Sequence, residues 1–401
     1  MRKQGWTYKK LGEICDTING LWKGKKPPFV RVGVIRNANF TKEFTLRFDN
    51  VEFLDVEERQ FTKRKLQKGD LIVEKSGGST KQPVGRAVLF EKEDGDFSFS
   101  NFTSVLRIKD KKELLYQFLY KYLLFSYKRG DTLTMQKATT GIHNIEFDKF
   151  LGIDIPVPSM EEQERIVARL DAAFAQIDEL RANAEKQLEE ARALFNAALN
   201  EEMKPKKGWE EKTLGEVLTK ISDGSHNPPK GINYSDYPML SSKNVFFDSY
   251  NYNSPRYLSK ADFELENRRT QISDGDVLLT IVGTVGRTCC VQKPFIPFTL
   301  QRSVAVLKPK HDLIVSRFLM YTLHSLSELW NQEAKGAAQK GIYLKQLSLI
   351  PIFAPSLSEQ EAIVERLDGL SERVKELEEI ARTTVKECDA LKQSILRETF
   401  E

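Results

Sequence analysis

The sequence predicts an α+β protein: two tandem lobes with mixed or antiparallel sheets, separated by two long helices. Three observations predict it. A set of short motifs recurs at half the chain length, net charge alternates in sign along the 401 residues, and both acidic stretches carry a coiled-coil pattern.

The repeat comes first because it organises the rest. Trp6 with Leu11-Gly12-Glu13 recurs as Trp209 with Leu214-Gly215-Glu216, and Gly69-Asp70-Leu71-Ile72-Val73 as Gly275-Asp276-Val277-Leu278-Leu279. Val84-Gly85-Arg86 returns as Val285-Gly286-Arg287, and Gly141-Ile142 as Gly341-Ile342. Pro158-Ser159, Glu162-Gln163-Glu164 and Arg169-Leu170-Asp171 return as Pro355-Ser356, Glu359-Gln360-Glu361 and Arg366-Leu367-Asp368. The order is preserved and the offsets stay between 197 and 206, which chance matches would not do. The expected segments are a first lobe at 1–155, a central helix at 156–204, a second lobe at 205–354 and a C-terminal helix at 355–401.

Charge follows the same division. Residues 1–158 hold 29 Lys+Arg against 20 Asp+Glu, and residues 204–355 hold 20 against 14. Residues 159–203 hold 5 against 11, and residues 356–401 hold 7 against 12. A basic globular segment is the footprint of a phosphate-backbone binder; ordinary solubilising charge is the bland alternative, which the regular alternation disfavours. No window approaches 18 apolar residues, MRKQGWTYKK lacks a signal peptide's apolar core, and Cys15, Cys289, Cys290 and Cys388 are too badly spaced for a disulfide framework. A reducing cytoplasm is the expected compartment.

Each acidic segment opens with a capping box, Ser159-x-x-Glu162 and Ser356-x-x-Glu359, directly after a proline. In the second, Ile363, Leu367, Leu370, Val374, Leu377, Ala381, Thr384, Cys388, Leu391 and Ile395 track a seam of alternating four- and three-residue steps. In the first, Ile166, Leu170, Ala173, Ile177, Leu180, Ala184, Ala191 and Ala198 follow a similar track, which Gln187 breaks. A lone helix this long would leave its stripe wet, and the nearest partner is the other copy. In the lobes, β-rich runs at Asp70–Glu74, Arg86–Phe90, Ser104–Ile108, Asp276–Val282 and Ser303–Leu307 predict strands. One helix per lobe is expected, at Glu113–Tyr127 and Leu313–Trp330.

No convincing catalytic site is legible. The chain has no Gly-x-Gly cofactor loop and no Walker A sequence, since Gly341 is followed by Ile342. Asn227-Pro228-Pro229 is followed by Lys230 where an adenine methylase needs an aromatic ring, so it reads as a turn. His143, His226, His311 and His324 are scattered without metal-ligand spacing. Loops instead carry side chains suited to DNA. In the first lobe these are Lys23, Lys25, Lys26, Lys75, Ser76, Lys81, Gln82, Arg86, Lys137 and Asn144. In the second they are Ser225, His226, Asn227, Lys230, Lys243, Asn244, Arg287, Lys335, Gln339 and Lys340. Lys and Arg hold phosphates; Asn, Gln, Arg and Ser address base edges. For any one of them a solvated turn is the competing reading. The rival for the set is a coiled-coil scaffold whose lobes bind a non-DNA partner, which a heparin column or gel shift would separate.

These features together resemble the specificity subunits of Type I restriction–modification enzymes, over the whole chain. The twice-occurring Pro-Ser…Glu-Gln-Glu…Arg-Leu-Asp helix opening is the most specific element. The resemblance implies that the lobes are target recognition domains, each reading half of a bipartite asymmetric DNA sequence. It implies an antiparallel helix pair that spaces the lobes and docks two methyltransferase subunits, with restriction subunits joining afterwards. It further implies a non-catalytic chain with no cofactor of its own: S-adenosylmethionine, ATP and Mg²⁺ serve the partners, whose complex methylates adenine and cleaves DNA.

Overall fold

A computed structural model describes residues 3–401 apart from 23, 25, 80–81, 140–141, 328 and 331–340, with 138–139 described in backbone only. The chain forms two compact units, residues 1–184 with 382–401 and residues 185–381. Each therefore combines a lobe with a stretch of both long helices.

In the first unit, Cys15–Asn19, Thr103–Ile108, Asp70–Glu74 and Ala87–Phe90 lie side by side, in that order, in an antiparallel sheet. In the second, Leu218–Asp223, Val304–Pro309, Val277–Thr280 and Thr288–Cys290 repeat the order and the sense. The middle residues of the central strands, Leu71-Ile72-Val73 and Val105-Leu106, are consecutive apolar residues because both faces are covered. Leu71, Val73 and Leu106 pack on one side, Ile72, Val88 and Val105 on the other. A second sheet of mixed sense joins Glu52–Glu57, Phe29–Ile35 and Phe97–Phe99, and its counterpart joins Arg256–Tyr257, Pro238–Leu240 and Thr299–Leu300. Thr7–Lys10 pairs with Asp154–Val157, and Glu210–Thr213 with Pro351–Ala354, so each lobe closes on its own ends.

The repeated Gly-Asp pair is a folding device. Gly69 and Gly275 adopt φ of +92° and +81°, where a side chain is strained. The next carboxylate is buried and caps the same turn: Asp70 accepts from the Gln67 amide and Asp276 from that of Ser273, each at 2.8 Å. Arg107 and Lys308 neutralise the two carboxylates.

The lobe helices are Tyr116–Arg129 and Ser316–Ser325, each starting three residues later than expected. The buried amides of Gln163 and Gln360 explain where they start. Gln163 Oε1 accepts from the Leu115 N–H at 2.8 Å, while Nε2 donates to Glu113 O and Pro158 O, both at 2.9 Å. Gln360 makes the same three bonds to Val315, Leu313 and Pro355 at 2.8, 3.0 and 2.9 Å. An N–H that the lobe helix leaves unpaired is thereby tied to the first turn of a long helix.

The long helices are Met160–Glu202 and Leu357–Phe400, and in each unit they run antiparallel. In the first unit Arg169 donates to Thr399 and Lys392 pairs with Asp178. In the second, Arg192 pairs with Glu378 and Arg366 with Glu202. Ile166, Leu170, Ile177, Ile363 and Leu367 are buried, and Leu370, Val374, Leu377 and Ile395 half-buried, as a seam requires. Two expected members are not in it. Leu180 is 54% exposed and Leu391 is 49% exposed. After Ile177 the covered positions are Arg181, Ala184, Leu188, Ala191 and Phe195, so an arginine stem occupies a place that apolar counting gave to Leu180. Near the other end, Leu396 and Phe400 turn into the first lobe's core beside Phe118, Tyr122 and Phe125, which draws the buried face away from Leu391. Among the described residues no helix is long and apolar enough to cross a membrane, and all four cysteines are buried and free.

Candidate nucleic-acid interface

Strand direction gathers the loops. Asn19, at the end of its strand, pairs with Ser104, and Glu74, at the end of the neighbouring strand, pairs with Thr103. The chain therefore leaves the sheet after Asn19 and after Glu74, and enters it before Thr103, at one and the same end. Lys75 Nζ donates to Asn19 Oδ1 at 3.0 Å, tying the two exits together. Burial lowers the Lys75 pKa from its ordinary value. Ser76–Gly78 pairs with Ile142–Ile145, which pairs with Gln136–Thr139. The register aligns Ser76, Asn144 and Lys137 as cross-strand neighbours in one row, so three expected contact residues from distant sequence share a face. Lys137 lies 3.1 Å from Glu146, whose carboxyl is held below its usual pKa by Lys149 and Lys137.

Lys26 and Gln82 are exposed. Arg86 is not: it is 7% exposed, with its guanidinium 2.7 Å from the buried Glu74 carboxylate and over the Phe40 ring. In the orientation that satisfies both groups, the Gln82 side-chain oxygen accepts from Arg86 at 2.7 Å. Arg86 thus holds Gln82 in place and does not itself face solvent, which corrects the expectation of a base-reading arginine there. Lys23, Lys25 and Lys81 lie outside the described residues.

The second lobe gathers its loops at the same end of its sheet. Ser225 N–H donates to Leu300 O, and Ser225 O accepts from the Arg302 N–H. The Ser242 amide donates to Ser303 Oγ, bringing segments 223–226, 241–244 and 301–303 together. His226, Asn227, Lys230 and Lys243 are exposed. Arg256 donates to the Pro228 and Pro229 carbonyls, which fixes the Asn-Pro-Pro turn. Ser225 is buried by its strand bridge to Gln301. Asn244, only 2% exposed, spends its amide on Ser241 N–H and Asn253 O, so it shapes the turn that presents Lys243. Arg287 is half-buried over Phe246, its Cζ 5.1 Å from the ring centre. Lys335, Gln339 and Lys340 lie outside the described residues. Trp22, Phe102 and Arg302 are exposed at the same ends of the sheets and were missed, since two are rings and the third lies inside a predicted strand's approach. Among the described residues no cluster of His, Cys, Asp and Glu is placed to hold a metal ion.

The model of the Type I restriction modification DNA specificity domain matches residues 3–190 and again residues 206–386. The chain belongs to that family. Its two matches are the two copies of the internal repeat. The Type I restriction enzyme EcoBI specificity subunit of Escherichia coli is 27% identical over 61% of this chain, a match spanning only 57% of that relative's length. The EcoKI specificity subunit of Escherichia coli strain K12 is 23% identical over 99% of this chain and 89% of its own. In fold, the chain is similar to one from a structure of type I R-M system assembly and conformational transition (TM-score 0.75, 23% identity, 100% and 99% coverage). It also resembles the HsdS subunit of Thermoanaerobacter tengcongensis (TM-score 0.50, 21% identity, 100% and 97% coverage). Membership of this Type I specificity family gives the chain a role in DNA specificity rather than catalysis.

Proposed function

We propose that each lobe of this specificity chain reads one half of a bipartite, asymmetric double-stranded DNA target, while the paired helices set the unread spacer and dock two methyltransferase subunits. Restriction subunits complete the assembly, and S-adenosylmethionine, ATP and Mg²⁺ act in those partners. The observation that carries this reading is the gathering of separate loops rich in Lys, Asn, Gln and Ser at the same end of the duplicated sheet in both lobes. Phosphate contacts from lysines fix register, and amides and hydroxyls read base edges. The helices are acidic, so duplex DNA repels them and leaves their outer faces to protein partners.

The test is reconstitution. The pure chain supplied with S-adenosylmethionine, Mg²⁺ and ATP should neither methylate nor cleave, and methylation of one bipartite motif should appear when methyltransferase subunits are added. Labelled methyl transfer by the chain alone would overturn the division of labour. A complex that methylates without sequence preference would overturn the reading of the lobes.

A further inference from the structure

Four tryptophans are present, and three are packed away: Trp330 is fully buried, and Trp6 and Trp209 lie against the two main cores. Trp22 is 69% exposed. The backbone that presents it is not loose. A Cβ on Gly20 would sit 1.8 Å from Ser100 O, so the chain passes the neighbouring turn at a distance only glycine allows. Leu21 is then buried and donates its N–H to Phe99 O at 2.9 Å. Trp22 follows directly from this anchor, within the sequence Asn19–Lys26 that carries three lysines.

The second lobe builds the same device. A Cβ on Gly224 would sit 2.0 Å from Leu300 O, Ser225 is buried and donates to Leu300 O at 2.7 Å, and the next residue is His226. His226 Nε2 lies 2.6 Å from Asp223 Oδ2, and Asp223 is buried and also paired with Arg269, so this ring is oriented by its own strand. Equivalent positions of two diverged lobes thus each project an exposed ring, anchored one residue earlier, from the end of the sheet where the contact loops gather. One exposed indole alone is ordinary, but two rings held at equivalent positions at the contact end of both sheets are placed to meet thymine methyls and deoxyribose in a groove or to wedge between base steps of a duplex.

Resting on the reading of the lobes given above, we propose that Trp22 packs its ring against a base of the first half-site, and that His226 is the ring of the second. Trp22 is a specificity and affinity determinant that hydrogen-bond chemistry alone does not identify.

The experiment uses the full chain assembled with its methyltransferase subunits and a duplex oligonucleotide bearing the motif found by sequencing methylated genomic DNA. Trp22→Ala should weaken binding to this duplex roughly 10- to 100-fold, the usual worth of one good contact to a base. Trp22→Phe should recover much of the loss. Wild-type tryptophan fluorescence should be quenched on binding, and the quench should shrink sharply in Trp22→Phe. His226→Ala should relax the other half of the methylated motif and leave the first intact. If the wild type binds the duplex but Trp22→Ala binds within twofold of it, or the quench survives in Trp22→Phe, the ring assignment is wrong while the reading of the lobes stands. If the wild type shows no preference for its own motif, both fall together.

Discussion

Gln163 and Gln360 each have a fully buried amide making three hydrogen bonds to backbone groups. Leucine in either place removes the bonds to one N–H and two carbonyls. Each substitution should therefore cost about 1–3 kcal/mol, read as a lower urea midpoint, and the two costs should match within a few tenths. A neutral result at one site would mean the duplicated amide is not a structural tie. Arg86→Ala should also act on folding before it acts on DNA, because it strands Glu74 in the interior; about 3–5 kcal/mol is expected, with partial recovery when Glu74→Gln is added. The Val-Gly-Arg repeat pointed to Arg86 and Arg287 alike. Sequence could not separate them, because the difference lies in the partner: Glu74 takes the Arg86 guanidinium in the first lobe, whereas Thr280 at the equivalent place accepts only from the Arg287 backbone N–H and leaves that guanidinium to the Val245 carbonyl. His324 adds a pH dependence. Stacked on Phe247 at 3.9 Å, with an unpartnered Nδ1, it has its pKa pushed down to about 4 by burial. The folded state keeps it neutral while the unfolded chain takes up a proton near 6.5. Stability should be complete above that pH and fall as pH drops toward 4. In His324→Phe this part of the slope should vanish, and an unchanged gap in urea midpoint between the two proteins from pH 7 to pH 5 would contradict it.

The elements were legible where pattern and burial agree. Strands fell within two residues of their expected ends, because alternate residues face two different apolar clusters. The helix seam was legible as far as Ile177 and again at Ala184 and Ala191, but not at two places between and beside them, because Arg181 and Leu188 are the covered residues while Leu180 points to water. This makes opposite forecasts for neighbouring leucines. Leu180→Glu and Leu391→Glu should leave the unfolding midpoint nearly unchanged, within about 0.5 kcal/mol, whereas Leu170→Ala and Leu367→Ala should each cost about 2–5 kcal/mol. Equal penalties would restore the original seam. The helices also carry the proposed spacer. Four residues inserted near Lys186 add roughly 6 Å of rise and turn the helix by nearly one rotation, so the seam is only mildly disturbed. The methylated motif should keep both half-sites and gain one or two base pairs between them, while a two-residue insertion, turning the seam by about 200°, should abolish activity.

At the scale of the whole chain the design is duplication with divergence. Sheet order, the Gly-Asp turn, the buried glutamine and the anchored ring are kept in both lobes, while the loop chemistry differs. This is why the fold could be read from the repeat, whereas the identity of each contact residue could not: Arg86, Ser225 and Asn244 have the right chemistry but are spent inside the protein. If duplication serves independent reading, each lobe should be exchangeable as a unit. Replacing residues 1–155 with the first lobe of another family member, and sequencing the methylated genomic DNA of cells carrying the hybrid with its methyltransferase subunits, tests this directly. One half of the methylated motif should change while the other half and the spacer remain as in the wild type; alteration of both halves in a hybrid that still methylates would show that the lobes read jointly.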